Sequence, residues 1–112
     1  MQVTFNKEGN ALVVAVKGRL DALTAPDFES QCSSHIEQGH VLLVADLTEL
    51  EYISSAGLRS ILQISKKLKQ EHGQINFCCL SGIIQHVFSI SGFDSMFSFH
   101  DSVAQALLQY ER

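Results

Sequence analysis

Proline occurs once in 112 residues, at Pro26, and no stretch rich in proline or glycine interrupts the chain. Without such a linker, repeat or low-complexity segment, no internal boundary is expected, and one domain covering residues 1–112 is the working assumption. Charge is also sparse: charged residues make up 18%, the net charge is −4, and the longest basic run is Lys66-Lys67. No concentrated positive field can form on such a surface, so direct binding of nucleic acid is not expected. Long apolar runs are missing too. Ala11 to Val16 and Val41 to Ala45 have the length of buried strands, far short of a membrane span, so no membrane insertion is expected. The opening Met1-Gln2-Val3-Thr4-Phe5 alternates polar and apolar residues instead of presenting an export leader.

Cysteine is scarce and badly spaced for chemistry. Cys32, Cys78 and Cys79 make neither a Cys-x-x-Cys pair nor a zinc-ligand pattern, and their odd number argues against a disulfide framework. Cys78 and Cys79 lie in the apolar segment Ile75 to Leu80, where alternation would send their side chains to opposite faces. Reduced structural thiols and a cytoplasmic location follow as expectations. The signatures of common enzymes are absent as well: there is no His-Glu-x-x-His, no Gly-x-Ser-x-Gly and no phosphate-binding Gly-x-x-x-x-Gly-Lys-Ser/Thr loop. None of His35, His40, His72, His86 or His100 is placed by sequence as a base for a serine nucleophile, and all five read as surface residues. A binding protein without cofactor is expected, rather than an enzyme.

What is present is 46% hydrophobic residues in alternating patterns, enough to build a core. Gln2 to Asn6 and Ala11 to Lys17 read as an antiparallel hairpin around Glu8-Gly9-Asn10, ended by Gly18. Thr24 reads as the cap of a helix from Ala25 to about Glu37, with Phe28, Cys32 and Ile36 on one side and Gly39 beyond its end. Val41 to Asp46 suits a central strand covered on both faces. After a loop carrying Tyr52 and Ile53, Ser55 to His72 reads as a helix whose core stripe is Leu58, Ile61, Leu62, Ser65 and Leu68, with Gly73 as its stop. A strand (Ile75 to Leu80), a short helix (Ile83 to Ile90), an edge strand (Ser95 to Phe99) and a final helix from Asp101 or Ser102 complete the alternation. The class is α/β.

The richest stretch is Asp46-Leu47-Thr48-Glu49-Leu50-Glu51-Tyr52-Ile53-Ser54-Ser55-Ala56-Gly57-Leu58, running from the polar end of the central strand into the best helix. It resembles the STAS domain family, specifically the bacterial anti-sigma factor antagonists, whose pattern runs from Asp-Leu through an aromatic and aliphatic pair to Asp-Ser-Ser/Ala-Gly-Leu. Gly18-Arg19-Leu20-Asp21 with Thr24, and Ser91-Gly92-Phe93, resemble two further turns of that family. The resemblance implies a STAS-like α/β domain with a mixed sheet of four or five strands and about four helices, mostly on one face.

It also implies a role. The serine two positions before the motif glycine, Ser55 here, would be phosphorylated by an anti-sigma factor that is also an ATP-dependent serine kinase. The unphosphorylated chain would bind that kinase and free a sigma factor; a serine phosphatase would reverse the modification. ATP and magnesium would belong to the kinase. Asp21, Thr24, Asp46, Ser54, Ala56, Gly57 and Arg59 are the candidate partner-binding residues. The chain departs from the pattern at Ser54, where many relatives have Asp.

The residues alone leave other readings open. Ser54 or Ser55 can be simply a helix cap, Asp21 and Thr24 a turn residue and a cap, and Asp46 the end of a strand. A STAS subunit of a transporter or signalling complex would bind constitutively, and a hydrolase using Ser55 would need a base and oxyanion donors that the sequence does not reveal.

Overall fold

The computed structural model describes residues 1–111 and alternates strands and helices after an opening hairpin. Strands β1 (Gln2–Glu8) and β2 (Ala11–Leu20) pair antiparallel, with Phe5 opposite Val14. Helix α1 (Ala25–Glu37), strand β3 (Leu42–Asp46), strand β4 (Leu50–Ile53) and helix α2 (Ser55–Gln70) follow. Strand β5 (Gln74–Cys78), helix α3 (Gly82–Ile90), a single 3-10 turn at Phe93–Ser95, strand β6 (Phe99–His100) and helix α4 (Val103–Leu108) complete the described chain.

The sheet has six strands rather than the expected four or five. Its order is β1-β2-β3-β5-β6, all parallel beyond the first pair, and β4 pairs in parallel with the far end of β2. The extra strand is β4, whose buried residues Leu50 and Ile53 are three apart and so lack the alternation that marks a strand in sequence. It forms because β2 continues past the expected stop. Gly18 adopts φ 94, its amide donates to the Glu49 carbonyl at 3.0 Å, and the register shifts between Gly18 and Arg19, so the glycine is a bulge within β2.

Both faces of the central strands are covered, which explains the unbroken apolar run of β3. Leu12, Val14, Leu43, Ala45 and Phe77 face the layer of α1, α2 and α3, where Phe28, Ile36, Ile64, Leu68 and Phe88 meet them. Val13, Val44 and Cys78 face α4, packed on Ala106 and Tyr110. Helices therefore lie mostly on one face, with α4 alone on the other. The Tyr110 hydroxyl donates to the Leu43 carbonyl at 2.8 Å, and buried Asn76 donates to the Ala106 carbonyl at 3.0 Å, tying α4 to β3 and β5.

Several local expectations need correction. In α2 the buried stripe is Ser60, Ile61, Ile64, Ser65 and Leu68, whereas Leu62 is 37% exposed, because the helix turns it beyond the edge of the contact with α1 and the sheet. The residue with left-handed backbone after α2 is His72 (φ 59), and Gly73 follows it with its amide bonded to Leu68. The edge strand is only Phe99–His100, since Gly92 (φ 80) and the turn at Phe93–Ser95 first bury Phe93 against Phe88. His35 is half-buried, its ring 4.0 Å from that of Phe5, rather than a surface residue.

Candidate functional site

Two loops meet where β2 and β4 end. Ser54 leaves β4 with extended backbone (φ −98, ψ 175), its amide donates to the Leu20 carbonyl at 3.0 Å, and its Oγ accepts from the Gly57 amide at 3.3 Å. Ser54 is thus the cap of α2, a role that serine and aspartate fill about equally well. Ser55 becomes the first residue of the helix, exposed, its hydroxyl outside the capping bond. The amides of Ser55 and Ala56 have no acceptor within the helix, and no acidic residue occupies its first turn, so the positive end of the helix dipole is uncompensated there.

Gly57 makes this closeness possible. A Cβ at that position would lie 2.5 Å from the Leu20 carbonyl oxygen and 2.8 Å from Ile53 Cγ1, inside any real contact distance. The glycine that would weaken a helix elsewhere is required by packing here.

The loop after β2 is held by Asp21 and Thr24. Asp21 Oδ1 accepts from the Leu23 amide at 3.0 Å and the Thr24 amide at 3.3 Å, while Thr24 Oγ1 accepts from the Asp21 amide at 2.9 Å and donates to the Arg19 carbonyl at 2.8 Å. Thr24 therefore does not cap α1 as expected: its backbone is already helical, and its hydroxyl is spent on the loop. The Ala25 amide is taken by the Asp21 carbonyl at 2.8 Å. Partial desolvation in the loop raises the Asp21 pKa. The donors at Leu23 and Thr24 and the positive charge of Arg19 outweigh it and hold the carboxyl below its ordinary value.

Arg19 is a residue that sequence reasoning passed over. Its guanidinium lies 3.6 Å from the Asp21 carboxylate and 4.1 Å from the centre of the Tyr52 ring, a cation–π pair across β2 and β4. Only the pairing of β4 with β2 brings the two together. Ala56 and Arg59 line an open groove of about 670 Å³ between α1 and α2, with Ala22, Pro26 and Ser60 among its walls. Asp46 stands apart from this assembly. Its carboxylate accepts from the Thr48 amide at 3.1 Å, and it groups with Cys78 and Cys79.

The STAS domain family model matches residues 2–106. The chain belongs to the STAS family. It is 36% identical over 97 residues to a Bordetella bronchiseptica protein provisionally named as the anti-sigma factor antagonist BtrV, covering 87% of this chain and 84% of that one. A crystal structure of an anti-sigma factor antagonist from Mycobacterium paratuberculosis superposes with a TM-score of 0.87 at 23% identity, over 96% of this chain and 92% of that one. The phosphorylated form of the Bacillus cell fate determinant SpoIIAA superposes with a TM-score of 0.76 at 18% identity, covering 98% of this chain and all of that one (100%). The STAS fold and the kinship with anti-sigma factor antagonists are thereby established. No helix among the described residues is long and apolar enough to cross a membrane.

Proposed function

We propose that this STAS protein is an anti-sigma factor antagonist switched by phosphorylation of Ser55. The observation that carries the reading is the division of labour at the start of α2: Ser54 caps the helix and leaves Ser55 as an exposed hydroxyl beside unpaired amides. A phosphate is accommodated there without unfolding, because helix N-termini bind anions. The modification adds about −1.5 to −2 charges at pH 7 to a surface that a partner would cover. The kinship with anti-sigma factor antagonists, one of whose fold neighbours exists in a phosphorylated form, supports the same reading.

The unmodified chain binds an anti-sigma factor that is also a serine kinase, through the helix start, the loop braced by Asp21 and Thr24, and the groove bordered by Ala56 and Arg59. ATP and magnesium come with the kinase. Binding frees the sigma factor. Phosphorylation of Ser55 sets charge and bulk against the bound surface and releases the chain, and a serine phosphatase restores it. Ser54 replaces the usual Asp without loss of the cap, so the acceptor keeps its geometry.

Incubation with such a kinase and Mg-ATP, followed by intact mass, tests the assignment. Wild type gains one phosphate, Ser55→Ala gains none and Ser54→Ala still gains one. Phosphate on another residue, or on none, refutes it and favours a constitutively bound STAS subunit of a larger complex.

A further inference from the structure

The end of β5 departs from strand geometry at one residue. In a regular strand Cys78 and Cys79 would face opposite sides of the sheet. Cys79 instead stands at φ 65, a left-handed conformation that a cysteine rarely adopts, and this turns both cysteines into the cluster between the sheet and α4. Cys78 is fully buried there (0% exposed), and Cys79 is half-buried at the edge. Asp46 lies opposite Cys78 in the parallel pairing of β3 with β5, and the Leu47 amide donates to the Cys78 carbonyl at 3.1 Å. One ligand atom from each of Asp46, Cys78 and Cys79 consequently lies within 4.8 Å of the others.

We propose that Asp46, Cys78 and Cys79 form a binding site for a thiophilic closed-shell cation of the zinc type at the C-terminal ends of β3 and β5. Two thiolates and a carboxylate are a donor set that zinc accepts, with a fourth position left to water. Zinc–sulfur bonds of about 2.3 Å place tetrahedral sulfur ligands roughly 3.8 Å apart, a separation that small side-chain rotations reach from the observed one. The surroundings orient the ligands. Thr48 fixes the carboxylate by donating its amide and hydroxyl to Asp46 Oδ1. Cys79, half-buried at the edge of the cluster, also lines a cavity of about 240 Å³ with His100 and Asp101.

Proton balance is simple. Each thiol passes one proton to solvent as its sulfur binds, the ionised carboxylate passes none, and a divalent ion leaves the three-ligand site with one net negative charge.

Titration of the full, reduced chain with Cd²⁺ as a spectroscopic probe and with Zn²⁺ against a chromophoric chelator tests the site. One equivalent per chain binds, with a thiolate-to-cadmium charge-transfer band and a raised Tm. Cys79→Ser, at a half-exposed position where folding is checked by circular dichroism, abolishes the band and weakens Zn²⁺ on the order of 100-fold. Asp46→Asn weakens it about tenfold or more, and Cys32→Ser leaves it unchanged. No band with excess Cd²⁺, or an equal band in folded Cys79→Ser, overturns the proposal.

Discussion

The backbone amide of Ser54 donates to the carbonyl of Leu20 at 3.0 Å, so the end of β2 and the start of α2 form one unit. Whatever displaces Leu20 displaces the helix start, and the Ser55 hydroxyl with it.

Gly57→Ala tests that unit. Its methyl group would meet the Leu20 carbonyl oxygen at 2.5 Å and must push helix and strand apart. Overpacking of this kind costs about 1–3 kcal/mol. Thermal unfolding of the variant occurs several degrees lower, and Ser55 is phosphorylated more slowly because its position relative to the Asp21 loop has changed. An unchanged Tm contradicts the packing argument.

Much of this unit was legible in advance, but for a reason that composition does not supply. The order from Asp46 through Tyr52-Ile53 to Gly57-Leu58 resembles one family, and the helix that follows has clear periodicity. β4 was not legible, since Leu50 and Ile53 carry no strand alternation and the pairing depends on a bulge at Gly18. Nor was the Arg19–Tyr52 pair, which exists only once β4 lies beside β2. Thr24 misled because its hydroxyl suits a cap and a loop brace equally, and only the positions of the Arg19 carbonyl and Asp21 amide decide between them. Cys79 misled because alternation assumes extended backbone, and the chain turns left-handed at that residue.

The Asp21–Thr24 brace gives a second prediction. Thr24→Val keeps the shape but strips the partner from the Arg19 carbonyl and the Asp21 amide, costing about 1–2 kcal/mol in urea unfolding, and Thr24→Ser restores most of it.

Asp21 adds a pH signature. Its folded-state pKa lies below the ordinary 3.8, so its contribution is fully present above that value and is lost as the pH falls from 3.8 through the folded pKa. Urea unfolding of wild type and Asp21→Asn, compared from pH 7 downward, shows a gap that is constant at neutral pH and narrows below pH 3.8. A gap that widens in acid contradicts the brace.

The three thiols differ in reach. Burial pushes Cys32 up to about 12 and leaves it 1% exposed, Cys78 is fully buried, and Cys79 is half-buried. In the native, metal-free chain a thiol reagent at neutral pH modifies Cys79 first, by peptide mass mapping, and all three react only after denaturation. Early modification of Cys32 would contradict the packing of α1.

The most direct test of the switch is the affinity of the anti-sigma kinase for two forms of this chain, unmodified and carrying phosphoserine at position 55 introduced during synthesis, measured by calorimetry with both forms shown to be folded. Charge repulsion and lost contacts across the helix start predict a Kd weaker by on the order of 100-fold for the phosphorylated form. Equal affinities, or tighter binding of the phosphorylated form, would contradict the account.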